Sequence, residues 1–327
     1  MALVDALFTA NERRFRARAT PLTLKAMQTS ATSTRIAAGA MAVVITAWAY
    51  GWVVMKQVTP YVGPFDFVAL RFALATALLF GVMALRRESF KPPPLGLTLA
   101  VGVSQTTAFQ GLAQWALASG GAGRVSVLAY TMPIWSVLLA WWLLHERPSA
   151  RQWLGIGLAV AGLIFVIEPW QGLGSWQSAL LAVTSGACWG LGTVLSKRMF
   201  ELHRPSPLAF TAWQMLLGTL LLVLAAWLIP SPRIVWSGEM IYGLLYSAVL
   251  ATSLAWTLWT FVVDRLSTTV ASLSSLGVPI GAVLLAWALL HERPSTAERI
   301  GIVLIMLGLL VIGMASARRA PMPNPPT

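Results

Sequence analysis

Ten apolar stretches recur along the chain, at approximately 36–56, 64–85, 95–118, 125–144, 151–168, 176–196, 207–229, 239–263, 269–290 and 297–315. Short breaks marked by Pro, Gly or charge separate them, among them TPYVGP, RRESFKPPP, SGGAG, PWQGLGS and PSPRIVWSG. A helix crossing roughly 30 Å of hydrocarbon needs about 20 apolar residues, and about 17 suffice at the short end. Each stretch therefore reads as a membrane span. Lipid offers the backbone no hydrogen bonds, so spans of this kind must be helices and open sheets are excluded. The pattern predicts an all-α polytopic membrane protein of ten transmembrane helices.

The pattern also repeats. VLLAWWLLHERPS runs from Val137 to Ser149, and VLLAWALLHERPS from Val283 to Ser295. A shift of 146 residues lays Pro133 on Pro279, His145 on His291, Gly155 on Gly301 and Gly162 on Gly308. With small loop adjustments, WAYGWVVMK (Trp48–Lys56) lies over WGLGTVLSK (Trp189–Lys197). The chain thus reads as two five-span copies, 36–168 and 176–315, between an N-terminal tail, 1–35, and a disordered C-terminal tail, 316–327. Five is odd, so the second copy enters the membrane upside down. Inverted repeats are an architecture of secondary transporters, with the substrate site near the midplane between the halves. The HERPS copies then fall on opposite faces and cannot share a site. Each reads as a turn in which His, Glu and Arg cap and pair at the surface and Pro starts the next helix.

Composition agrees with this picture. Apolar residues make up 57% of the chain and charged residues only 10%, against roughly 25% charge in soluble domains. The net charge of +12 sits in short clusters between apolar runs, as in cytoplasmic loops facing anionic lipid. No long basic patch with interleaved aromatics is present, which argues against nucleic acid as a partner. With the N-terminus cytoplasmic, 17 of the 23 basic residues fall on the cytoplasmic side. Lys56, Arg124, Arg233, Arg293 and Arg299 fall opposite, and Arg71 lies within a span. That bias places both termini inside. NERRFRARAT (Asn11–Thr20) lacks the apolar core of a secretory signal and reads as a cytoplasmic tail. The single cysteine, Cys188, excludes an internal disulfide and a CxxC site.

The paired P…LLAWWLLHERPSARQWLGIGLAVAGLIFV and P…LLAWALLHERPSTAERIGIVLIMLGLLVI closely resemble the two EamA-type repeats of the drug/metabolite transporter superfamily. The resemblance covers about 36–315 and agrees in motif, order and span count. Within that superfamily the Trp-rich interior is similar to the YddG-type exporters of aromatic and other apolar amino acids. The resemblance implies a multi-pass protein of the bacterial inner membrane that exports a small metabolite such as an amino acid, without cofactor or metal and as a monomer.

Candidate site residues come from the spans themselves. On span 3, Ser104, Thr107, Gln110, Gly111 and Gln114 share one face at 100° per residue. On span 8, Tyr246, Ser253, Trp256, Thr257 and Thr260 do the same, and the repeat offset pairs the two stripes. They are expected to face each other across a central cavity. The competing reading is that Ser, Thr and Gly simply let helices approach. Pro133 and Pro279 each free the carbonyl four residues earlier, at Ala129 and Ser275, which either serves a substrate ammonium or marks a kink needed for packing. Ser272, Ser274 and Ser275 stand nearby. Trp153, Trp170, Trp176 and Trp236 lie near span ends, where interfacial belts form. Trp48, Trp115, Trp135, Trp189 and Trp256 lie deeper and suit apolar or cationic groups. Gly51 and Gly192 are candidate pivots. Arg71 either faces a water-filled vestibule or snorkels outward, and Gln214 is its repeat partner.

Charge at mid-bilayer is costly and usually functional. Asp66, Glu168, Glu239 and Asp264 all lie near span ends, so proton coupling has no obvious carrier and a facilitator is expected. A proton-coupled exporter of drugs, sugars or purines is the alternative within transporters. A channel and a membrane-embedded enzyme are the alternatives of other classes. Against the enzyme, there is no Gly-x-Ser-x-Gly, HERPS is no HExxH, and His145, His203 and His291 all lie in loops.

Overall fold

The structure is a computed structural model that describes residues 21–168, 170, 176–265 and 274–317, without the side chains of 21–35, 260, 261, 263–265 and 317. The basic cluster at 13–18, Ser272 and the tail from 318 lie outside the described residues. So do the side chains of Thr260 and Asp264.

Among the described residues every regular element is helical. The first half holds α1 (Pro21–Gln57), α2 (Pro64–Leu85), α3 (Leu95–Val101), a π-helical segment (Gly102–Ala108), α4 (Phe109–Ser119), α5 (Ala122–Ala129), α6 (Met132–Leu144) and α7 (Ala150–Ile167). The second holds α8 (Trp176–His203), α9 (Pro207–Leu228), α10 (Gly238–Leu245), a second π segment (Tyr246–Leu254), α11 (Ala255–Arg265), α12 (Gly277–Leu290) and α13 (Thr296–Ala317). Helix α1 begins at Pro21, inside the stretch expected as tail.

Among the described residues, eight helical stretches are long and apolar enough to cross a membrane. The run Leu95–Ser119 falls outside that count because Ser104, Gln105, Thr106, Thr107, Gln110 and Gln114 dilute its hydropathy. Helix α12 is apolar but shorter. Polar groups buried inside a bundle and lipid-facing apolar groups thus coexist on one helix, as expected where a cavity is lined.

The repeated HERPS tag is a helix stop and start. His145 and His291 end α6 and α12 in the left-handed conformation, with φ of 57° and 55°. The next helix starts at the serine, one residue beyond the expected proline. Ser149 caps α7 and forms a capping box with Gln152, and Ser295 exchanges bonds of 3.0 Å with Glu298 at the head of α13. A serine hydroxyl and a residue three positions on satisfy two orphan amides reciprocally, which proline cannot do.

Helices α7 and α13 meet along a glycine seam. A Cβ on Gly155 would stand 2.7 Å from the Gly308 carbonyl oxygen, and one on Gly162 would stand 2.6 Å from that of Gly301. The contacts are reciprocal: a Cβ on Gly301 or Gly308 would stand 2.6 Å or 2.5 Å from the carbonyl of Gly162 or Gly155. As one index rises the other falls, so the two helices run antiparallel. Since Gly155 and Gly162 correspond to Gly301 and Gly308 in the repeat, equivalent residues exchange partners, the signature of a local two-fold relation.

The helix ends form two faces of unequal closure. On one face, the loops after α1, α4, α7, α9 and α12 are tied together. Lys56 Nζ donates to the Leu117 carbonyl at 2.7 Å, Val235 N–H to the Tyr61 carbonyl at 2.8 Å, and Arg124 Nη2 to the Ile167 carbonyl at 3.1 Å. Ser231 bonds Asp66, Ser295 bonds Glu168, and Arg124 lies 3.5 Å from Glu298. Glu292, in the second HERPS copy, accepts from the backbone N–H groups of Ala122 and Gly123 at 2.7 and 3.1 Å, capping α5. On the other face, Glu146 of the first HERPS copy pairs with Lys197, and Ser206 bonds Glu88 at 2.8 Å. Gln152 reaches Ser316 at 3.1 Å there.

Candidate functional site

The two π segments begin the site. They occupy equivalent places in the halves, offset by close to the repeat length. A π turn carries one more residue than an α turn and appears most often at functional sites. Its carbonyls need partners, and Ser and Thr hydroxyls supply them from five residues on. Thr107 bonds the Gly102 carbonyl at 3.4 Å, Thr252 that of Ser247 at 2.7 Å, and Ser253 that of Ala248 at 2.9 Å.

A cavity of about 710 Å³ lies against these segments, within the roughly 300–1,000 Å³ typical of small-molecule sites. Its lining runs from Met55 and Arg71, toward the tied face, past Trp48, Phe109, Gln110, Trp189, Trp256 and Trp259. It reaches Ser196, Phe200, Thr211 and Ser316, which stand at helix ends on the other face. Both halves contribute. The indoles and Phe109 form an aromatic wall: Phe109 and Trp189 centroids are 4.7 Å apart, Trp48 and Trp259 5.6 Å, and Trp189 and Trp256 5.7 Å. Trp48 Nε1 donates to the Ala251 carbonyl in the second π segment at 2.9 Å, so the wall is pinned across the halves.

A glycine stands at two places where the halves meet, and at Gly192 a side chain would collide. A Cβ on Gly51 of α1 would meet Ala251 Cβ at 3.6 Å, and one on Gly192 of α8 would meet Gln105 Cγ at 2.3 Å. Gly51 corresponds to Gly192 in the repeat, and Gln105 to Ala251. Each half therefore lays its first helix against the π segment of the other.

Of the residues singled out by sequence, Trp48, Gly51, Gln110, Pro133, Trp189, Trp256 and Ser275 line the cavity. The others do not. The π turns shift the helical phase by one residue, roughly 100°, which carries Ser104, Thr107 and Ser253 off the lining face and brings Gln105 and Ala251 onto it. Ser104 bonds the Ala100 carbonyl at 2.7 Å, and Thr107 also bonds that of Gly218 at 2.9 Å. Thr257 bonds the Ser253 carbonyl at 2.8 Å and is exposed. Gly111 packs on the Phe65 ring. Gln114 is buried and donates to the Met55 carbonyl at 3.0 Å. Trp115 is 44% exposed and packs edge-on to Phe65. Trp135 sits in the α6–α8 contact over Gly190. Tyr246 donates to the Ala47 carbonyl at 2.9 Å. Gly192 and Pro279 are buried in helix contacts. The Ala129 carbonyl, which Pro133 frees either for a substrate or as part of a packing kink, is 2.7 Å from where a Cβ on Gly186 would stand, so it faces α8.

Sequence reasoning missed Gln105, Phe109, Tyr130 and Trp259, all in the lining, and named Gln214 only as the repeat partner of Arg71. Helical periodicity held a signal for one of them, because Trp259 lies one turn beyond Trp256.

Residues 35–168 and 176–314 each match the EamA-like transporter family. The chain is 25% identical over 279 residues to the uncharacterized transporter YoaV of Bacillus subtilis, covering 83% of this chain and 94% of that protein. It is 28% identical to a Salmonella typhimurium protein named "probable amino-acid metabolite efflux pump", covering 82% and 91%. A protein of that name in Escherichia coli is 25% identical, covering 82% and 91%. A solved structure titled only "Crystal structure of protein" aligns with a TM-score of 0.62 at 22% identity, over 87% of this chain and 98% of its own; that likeness is one of fold.

Proposed function

Because the chain belongs to the EamA-like transporter family of multi-pass membrane proteins, we propose that it exports apolar and aromatic amino acids by alternating access. In this reading it holds ten spans as two inverted five-helix repeats, 36–168 and 176–315, with both termini cytoplasmic. It acts as a facilitator without proton coupling.

The observation that carries the reading is one cavity shared by both halves, walled by indoles and extending to one face while polar ties hold the other. The antiparallel seam of α7 and α13 supports the inversion. The basic-rich loops lie on the face that the cavity reaches, which supports a cavity open to the cytoplasm. The names of the Salmonella and Escherichia relatives support an amino-acid substrate. Among the described residues no Asp or Glu belongs to the lining, which supports transport without a proton carrier at the site.

Purified protein in liposomes should exchange labelled tryptophan, phenylalanine and leucine equally well with and without a pH gradient. Strict dependence on that gradient would remove the facilitator reading. Failure of every amino acid, with another metabolite moving, would remove the substrate reading and leave the fold. The wall makes a finer prediction. Trp256→Ala should weaken tryptophan uptake about 3- to 10-fold, the worth of one aromatic contact, and leave alanine uptake nearly unchanged. Equal loss for both amino acids would instead indicate general damage.

A further inference from the structure

Arg71 enters the cavity from α2 and is 5% exposed. Its Nε–H donates to Thr252 Oγ1 at 2.9 Å, and Nη1 faces Met55 Sδ at 3.3 Å and Gln110 Oε1 at 3.5 Å. The second π segment and α4 thus fix the plane of the guanidinium from both halves. Among the described residues it has no ion pair, and Nη2 has no hydrogen-bond partner.

A buried charge inside a membrane bundle is costly unless it is paired or wet, and by default it marks a substrate path. Here Nε and Nη1 of a planar, charged fork are engaged by neutral protein groups, Nη1 only at 3.3 and 3.5 Å, while Nη2 is left without a partner on a residue that lines the cavity. A carboxylate that takes Nη2, and Nη1 in place of the long contact to Gln110, would complete the two parallel hydrogen bonds for which the fork is shaped. The repeat counterpart, Gln214, also lines the cavity, but its Oε1 is occupied by Thr106 Oγ1 at 2.9 Å. The charge therefore breaks the symmetry of the halves and gives the site one cationic, anion-binding pole, beside the aromatic wall.

We infer that Arg71 is the carboxylate anchor of the cavity, so that every good substrate carries a carboxylate with an apolar or aromatic body lying on the indoles. This rests on the transporter reading and narrows its substrates: an amine lacking a carboxylate is not one.

Binding of three probes to the purified full chain tests it, by calorimetry: tryptophan, indole-3-propionate, which keeps the carboxylate and lacks the amine, and tryptamine, which keeps the amine and lacks the carboxylate. Tryptophan and indole-3-propionate should bind, and tryptamine at least about tenfold more weakly. Arg71→Gln should weaken both carboxylates roughly 10- to 100-fold and leave tryptamine where it was, with Arg71→Lys between the two. The comparison on unaltered protein needs no variant, which covers the case that Arg71→Gln does not fold. Tryptamine binding as tightly as tryptophan, or an Arg71→Gln protein with unaltered tryptophan affinity, overturns the anchor and leaves the amino-acid transporter standing. Arg71-dependent binding of indole-3-propionate without tryptophan keeps the anchor and removes the amino-acid reading. Binding of none of the three overturns both.

Discussion

Replacing Glu292 by alanine should open the tied face and make the protein rest in its other state. Glu292 makes two hydrogen bonds to backbone amides in the first turn of α5 that have no partner within the helix, where the helix dipole adds to the attraction. Hydrogen bonds to a charged group are worth about 1.5–3 kcal/mol each, so losing both removes about 3 kcal/mol or more from one state only. A difference of that size shifts a two-state population by about two orders of magnitude. Glu146, its repeat counterpart, pairs instead with Lys197, and both side chains are about half exposed. An exposed pair is worth about 0–1 kcal/mol, so Glu146→Ala should shift the balance by much less. Comparing reactivity of a cysteine on each face in the two variants checks this. Equal effects of Glu146→Ala and Glu292→Ala would remove Glu292 as the latch.

Gly162→Leu should cost the protein its fold. A Cβ there stands 2.6 Å from the Gly301 carbonyl oxygen and 2.8 Å from Ile305 N, both backbone atoms. Backbone cannot swing aside as a side chain can, so α7 and α13 must separate along the seam. Overpacking typically costs 1–3 kcal/mol and occasionally more, and a helix pair in contact along two glycine pairs stands at the upper end, about 3 kcal/mol. The check is melting of detergent-purified protein, with Gly157→Leu as control, since nothing lies within 4 Å of a Cβ on Gly157. A Gly162→Leu protein that melts with the control would show that the seam carries little.

Hydropathy and the HERPS repeat revealed most of the helices, because lipid imposes a length and a composition that local sequence must obey. The repeat also supplied the register that pairs Gly51 with Gly192 and Trp48 with Trp189. The site was less legible. An angle of 100° per residue is the natural assumption for a helix, and the π segments break it. An α-helical phase puts Thr107 and Ser253 on the lining, yet their hydroxyls serve π carbonyls, while Gln105, next to Ser104, takes the lining position. No single residue announces a π turn; the clustering of Ser and Thr around Gly102 and Ser247 is the nearest trace. Pro133 was a fair sign of a helix break, but the direction of the freed Ala129 carbonyl depends on Gly186, which belongs to the other half. Arg71 was visible as a lone charge within a span. Whether it faces cavity or lipid follows only from Thr252 and Gln110, neither near it in sequence.

Alternating access between inverted halves is the central claim, and the chain's single cysteine makes it directly testable. Met55 and Ser196 are repeat counterparts and lie toward opposite ends of one cavity. In a Cys188→Ala background, Met55→Cys and Ser196→Cys can be challenged separately with a membrane-impermeant thiol reagent on vesicles of each orientation. Ser196→Cys should react from the cytoplasmic side while Met55→Cys is protected from the outside, and adding Glu292→Ala should reverse both. Both cysteines reacting from both sides at once, or Met55→Cys remaining protected from outside whatever Glu292 becomes, would contradict it.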